Sequence, residues 1–160
     1  MKKPSSLYER HSETPAISEI TDCYAGVVIC TEDGLVIGQQ RDDIPGIDNP
    51  GMVGTFGGAL EAGETPQLAA WRELVEEETN LVRVATDFEP LLTDIAWRKL
   101  TGAWVVRHFF TIGITRKELN NLKVYEGQGW AIVSDDNPNV IPSWRPIFSA
   151  ASERSRFVRT

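Results

Sequence analysis

The sequence predicts one layered domain of the α/β or α+β class, and three observations lead there. Short runs of β-branched and aromatic residues recur along most of the chain, two segments carry helical spacing, and no repeat, linker or low-complexity run separates them. A chain of 160 residues buries most of its unfolded apolar surface in one core without disulfides or structural metals.

In chain order, residues 1–20 read as a polar N-terminal arm with Pro4 and Pro15, whose Leu7, Tyr8 and Ile17 are its candidate docking points; residues 21–160 form the domain. Between Ala25 and Arg41, Val27-Val28-Ile29 and Leu35-Val36-Ile37 flank Asp33-Gly34, the pattern of a hairpin with a tight turn. Pro45, Gly46, Asp48, Asn49 and Pro50 make residues 42–51 an irregular surface loop. Thr65 is a helix cap with Pro66 at the first helical position, and the helix runs to about Glu78. Strands are predicted at Val82–Asp87, Leu91–Ile95, Trp104–Ile114 and Gly129–Val133. A second helix from Ser143 to Phe157 follows from Ile147, Ala151, Ser155 and Val158.

The net charge of -7 opposes a nucleic-acid polymer as partner, since such binding is driven by Lys and Arg. A small anionic ligand fits this charge if bound cations reverse the local field. Cys23 and Cys30 lack the spacing of a zinc site or disulfide framework and are expected to pack as small apolar groups. His11 and His108 show no ligand spacing either. No apolar run marks a signal peptide or membrane anchor, so the expected location is the cytoplasm. The arm is a candidate for exchange between two copies in a homodimer.

The chemistry concentrates in Gly57-Gly58-Ala59-Leu60-Glu61-Ala62-Gly63-Glu64 and the helix containing Arg72-Glu73-Leu74-Val75-Glu76-Glu77-Glu78. At about 100° per residue, Glu73, Glu76 and Glu77 share one face of an α-helix with Ala69 and Ala70. Leu68, Trp71, Leu74 and Val75 are the expected packing stripe, with Glu78 pointing to that side, away from the other glutamates. Three carboxylates on one face repel, and a hard divalent cation such as Mg²⁺ or Mn²⁺ relieves the repulsion. Standing alone, such a run is usually a solvated acidic face. Here a tight glycine loop brings a fourth carboxylate, Glu64, toward a capped helix, and Arg72 is placed to pair with it.

These residues resemble the signature of the Nudix hydrolases: Gly, five residues, Glu, seven residues, Arg-Glu-aliphatic, one residue, Glu-Glu, one residue, Gly, aliphatic. Gly58, Glu64, Arg72, Glu73, Leu74, Glu76 and Glu77 match without a gap, whereas Thr79-Asn80 stands in place of Gly-aliphatic. One extra residue at the helix end, with Asn80 as a left-handed cap and Leu81 as the aliphatic position, accounts for that departure.

The resemblance implies an α/β/α sandwich around a mixed β-sheet and metal-assisted attack of water on a diphosphate linked to another group. It implies Glu73, Glu76 and Glu77 as ligands of Mg²⁺ or Mn²⁺, and Arg72 as the residue holding Glu64. Glu126, in Tyr125-Glu126-Gly127-Gln128-Gly129, stands where many family members place a further carboxylate that binds metal or activates water; Glu73 is the other candidate base. Glu61 is given no direct role. Gly57 and Gly58 are assigned to the substrate site, with Arg41 as a candidate phosphate contact. Trp97, Trp104 and Trp130 are first of all core aromatics and second a surface for stacking a base. The expected substrate is a small nucleotide: a nucleoside triphosphate first, a nucleotide sugar of the ADP-ribose or GDP-mannose type as the alternative. A non-catalytic nucleotide-binding module is the rival class.

Overall fold

The computed structural model describes the backbone of Tyr8–Glu9 and of residues 15–158. Leu7 and His11 lie outside the described residues. Tyr8–Glu9 (β1) pairs with the edge of a later strand, but Ile17 is 89% exposed and does not dock.

The expected hairpin is present as β2 (Ile20–Thr31) and β3 (Val36–Gln40). Gly34 takes φ 97°, which a side chain would resist, and the Thr31 hydroxyl donates to Asp33 Oδ1 at 2.6 Å while accepting from Leu35 N–H at 2.9 Å. β4 (Val53–Gly54), β5 (Phe56–Ala59), β6 (Glu89–Arg98), β7 (Ala103–Ile114) and β8 (Gly129–Ile132) complete a mixed sheet of eight strands. Its main path runs β1-β6-β7-β2-β3-β4, with β5 on β2 and β8 on β3. β2 and β7 are parallel along Ile20–Thr31, and the other strand pairs are antiparallel.

From Ala25 onward β2 is buried on both faces, as a central strand beside a parallel neighbour should be. Val28 and Cys30 point with Val105 and Phe109 to α3 (Arg145–Val158), meeting Ile147, Phe148 and Ala151. Val27 and Ile29 point the other way with Phe110 and Ile112, onto Ala69, Ala70 and Leu74 of the long helix. Helices on both faces of a mixed sheet make the expected α/β/α sandwich. None of the described helices is long and apolar enough to cross a membrane.

Four expectations need correction. Val82–Asp87 is not a strand: Val82 and Val84 are 85% and 61% exposed, and Ala85–Asp87 forms one 3-10 turn. Cys23 is exposed while Cys30 is buried. Leu68 is 45% exposed, whereas Ala69 and Ala70 are fully buried, because the small side chains let the helix close onto the sheet. The fourth concerns the helix itself: α1 (Pro66–Trp71) continues as a π-helical segment, Arg72–Glu78. β4, β5 and the short α2 (Arg116–Asn120) were not expected.

One feature of the sheet prepares the site. β3 stays with β2 only at Ile37 and Val36, and β5 then takes the same edge of β2 from Val27 to Tyr24. β3 and β5 therefore diverge and leave a fork between Gln39 and Gly57.

Candidate metal centre

Thr65 caps α1 by accepting from Leu68 N–H at 3.2 Å, and Pro66 occupies the first position. Beyond Trp71 the turns widen, and Thr79 N–H reaches back five residues to Leu74 O at 3.0 Å. The Thr79 hydroxyl donates to the same carbonyl at 2.6 Å. Such an i→i+5 turn accommodates one extra residue, so residues five apart stand where residues four apart stand in an α-helix.

This wider turn changes which glutamates meet. Glu78, expected to be turned away, is fully buried and fills the fork in the sheet. Its Oε1 accepts from Gly57 N–H at 2.9 Å and its Oε2 from Gln39 Nε2 at 3.3 Å. Burial pushes its carboxyl up to about 9; the Gly57 N–H pulls the other way, and the charges of Glu73 and Glu126 add to the rise. Glu73 is pushed up to about 7 by burial and then by Glu77, with Arg72 opposing. Glu73, Glu77 and Glu78 thus form the crowded set, with Glu126 nearby. Glu76, expected among the ligands, is exposed and is not brought to this cluster, since the extra residue rotates it outward.

Arg72 organises the opposite side. Its Nε and Nη2 hold Glu64 at 2.7 and 2.9 Å, and Nη1 reaches Glu73 at 3.0 Å and Glu77 at 3.1 Å. The bidentate pairing draws Glu64 down to about 2. Glu61 lies 3.7 Å from the same guanidinium with its side chain exposed, and its backbone N–H donates to Glu64 Oε1.

The two glycines are required by contact. Gly57 has φ 140°, and a Cβ there would fall 2.1 Å from Ala25 O. A Cβ on Gly58 would fall 2.3 Å from Glu73 Oε1. Tyr125-Glu126-Gly127 rests on the end of β3: Gln39 Nε2 donates to Glu126 O at 3.2 Å, and Gly127, at φ 76°, leaves only 2.5 Å between a Cβ and Gln40 O. The Glu126 side chain is exposed.

Arg41 is turned to its own loop, with Nε donating to Asp48 O at 2.6 Å. Trp97 and Trp104 pack edge to face at 5.4 Å, and Trp130 packs beside the core on the α1 face. His108 is half-buried next to Thr93 Oγ1, and burial holds its pKa below the usual value. Sequence reasoning missed Gln39 and Glu78. Glu78 was readable from the departure at Thr79-Asn80, had the extra residue been set inside the helix.

The donor set suits a hard divalent cation: paired carboxylates held at raised proton affinity beside further carboxylate oxygens. Among the described residues no three acidic groups already converge on one point, because Arg72 draws Glu73 and Glu77 toward itself.

A family model, the NUDIX domain, matches residues 23–134, more than half of the chain. The chain belongs to the NUDIX family. With that it is placed among hydrolases of pyrophosphate bonds, which work with a divalent metal. Solved NUDIX structures share the fold. The MutT protein from Methanosarcina mazei Go1 is 19% identical with a TM-score of 0.65, over 88% of this chain and 99% of that one. The NUDIX domain of Shewanella oneidensis NrtR, complexed with ADP ribose, is 17% identical with a TM-score of 0.62, over 82% and 86%. A bifunctional NMN adenylyltransferase/ADP ribose pyrophosphatase from Francisella tularensis, complexed with AMP and Mn ion, is 15% identical with a TM-score of 0.60. There the match covers 88% of this chain and 43% of the other. No curated protein matches.

Proposed function

We propose that this chain is a Mg²⁺-dependent pyrophosphohydrolase, with Mn²⁺ as substitute, that cleaves a nucleoside diphosphate linked to another group. The observation that carries the reading is the Glu73–Glu78 pair: two neighbouring carboxyls at raised proton affinity, Glu78 bonded to Gly57 N–H and Gln39 and Glu73 bonded to Arg72. Glu73, Glu77 and Glu78 hold the metal, with Glu126 as further ligand or base. Glu77 is free to join once it leaves Arg72.

When bound, the metal supplies charge neutralisation for the pyrophosphate and a more acidic attacking water. The chain's own residues do the rest. Gly57 N–H and Gln39 fix the Glu78 carboxylate, Gly58 leaves room for Glu73, and Arg72 with Glu64 keeps the face from repelling itself apart. Glu126, exposed and less desolvated, is the better candidate to take the proton from water, since Glu73 is already shared with Arg72.

The first substrate class is a nucleoside triphosphate. The likeness to the NrtR domain, which was complexed with ADP ribose, favours a nucleotide sugar as the second. A panel of nucleoside triphosphates, ADP-ribose, GDP-mannose and dinucleoside polyphosphates, assayed with and without Mg²⁺ for released phosphate or pyrophosphate, tests both. Turnover should vanish on chelation while the circular dichroism spectrum persists. Full activity in chelator, or no metal-dependent turnover of any member, sinks the proposal. The expected location remains the cytoplasm.

A further inference from the structure

Beyond Glu78 the chain is tied to the loop that carries Glu126. Tyr125 N–H donates to Glu78 O at 2.7 Å, Thr79 stands opposite Val124, and Asn80 N–H donates to Lys123 O at 3.2 Å. The Asn80 side chain then doubles the link: Nδ2 donates to Asn121 O at 2.9 Å, and Oδ1 accepts from Lys123 N–H at 2.8 Å. Both ends of one amide are thus used on one loop, just ahead of Glu126.

Asn80 is itself exposed, while the loop it holds also carries Leu122 and Val124, which pack against the core on the α1 face. It is not the left-handed cap expected from the sequence, since Asn49 alone among the described non-glycine residues has positive φ. On the other flank, Gln128 N–H donates to Gln40 O at 2.8 Å, and Gly127 lies against the same carbonyl. The turn at Glu126 is therefore held from two sides, by β3 on one and by Glu78 O together with Asn80 on the other. A restraint is needed, because Glu126 must stay close to other carboxylates that repel it.

We infer that Asn80 is a positioning residue: its amide fixes the loop at Asn121–Lys123 and so sets how near Glu126 stands to the Glu73–Glu78 pair. This rests on the assignment of Glu126 to the metal site made above.

The test is Mn²⁺ binding to the full chain, followed by electron paramagnetic resonance, in N80A, N80D, E126Q and the double variant N80A/E126Q. N80A should weaken Mn²⁺ binding by roughly 10-fold, the low end for a residue supporting a ligand. N80D keeps the acceptor for Lys123 and loses the donor to Asn121, so it should fall between N80A and the parent. In the E126Q background N80A should cost nothing more, which a merely structural role would not produce. Parental Mn²⁺ affinity in N80A, with E126Q weakened, overturns the role of Asn80 and leaves that of Glu126. Parental affinity in E126Q removes Glu126 from the site, and this inference with it. Fully additive losses mean that Asn80 acts elsewhere and overturn it too. If chelated N80A fails to fold, N80D decides by the same comparisons.

Discussion

Glu76 and Glu78 differ only in where the backbone takes them, and that difference separates their expected roles. Glu78 sits fully buried between Gly57 N–H and Gln39, whereas Glu76 faces solvent. Glu78→Gln keeps the volume and removes a charged ligand, so kcat at saturating Mg²⁺ should drop by more than about 100-fold, beyond the range typical of residues that only support a ligand. Glu76→Gln should leave kcat within a few-fold. The reverse ranking would restore the ungapped register of the motif. Gly57 offers a second contrast, this time in stability. Gly57→Ala meets a backbone oxygen at 2.1 Å in a left-handed conformation, and it should cost about 3 kcal/mol, read as a lower urea midpoint. Gly58→Ala meets only the movable end of Glu73, so it should harm Mg²⁺ affinity more than stability.

At the scale of elements, the π segment decides how much of the site was legible beforehand. The hairpin turn at Asp33-Gly34, the capped start at Thr65-Pro66 and the Arg72–Glu64 pair follow from local chemistry and near spacing, and the structure contains each of them. The identity of the ligand face did not follow, because a single extra residue inside a helix leaves no local mark: Val75 and Glu76 suit an α-turn and a π-turn equally. What selects the wide turn is tertiary. Leu74 is fully buried against the sheet, and Glu78 is drawn into the fork between Gln39 and Gly57. β4 and β5 were hidden for a similar reason, since glycine-rich segments carry weak strand signals and their pairing depends on β2. Deleting Glu76 should convert the segment to an α-helix with Glu73 and Glu78 four apart. We expect that variant to keep kcat within about 10-fold and to melt no lower than the parent, since π turns are rare and give up α-type hydrogen bonds. Deleting Thr79 instead keeps Glu73 and Glu78 five apart, removes the N–H and hydroxyl that close the wide turn on Leu74 O and breaks the register of Asn80 with Lys123, so it should lose more than 10-fold, as expected for a disturbed ligand support. An inactive, folded Glu76 deletion beside an active Thr79 deletion would put the extra residue at the helix exit.

For the molecule as a whole, the carboxyl cluster makes stability depend on pH and metal in opposite senses. Glu78 and Glu73 have their folded values raised from 4.5 to about 9 and about 7, so the folded state binds their protons more tightly than the unfolded chain does. Their contribution is fully present below pH 4.5 and is lost as pH rises through 7 and then 9. Glu64 runs the other way: held at about 2 by Arg72, it contributes above pH 4.5 and loses its contribution as pH falls toward 2. Metal-free protein should therefore melt at progressively lower temperature between pH 5 and pH 9, with a separate loss at strongly acid pH. A divalent cation binds the ionised carboxylates and competes with their protons, so the rise in melting temperature on adding Mg²⁺ should grow over the same interval. The net charge of -7 also disfavours the compact state at high pH, and the difference between the parent and Glu78→Gln removes that shared background. Differential scanning calorimetry in chelator should find that Glu78→Gln loses less stability than the parent between pH 6 and pH 9, and that Mg²⁺ raises its melting temperature less. Equal pH slopes for the two proteins in chelator would mean that Glu78 ionises without cost, and its burial in the fork between β3 and β5 would then not be what raises its proton affinity.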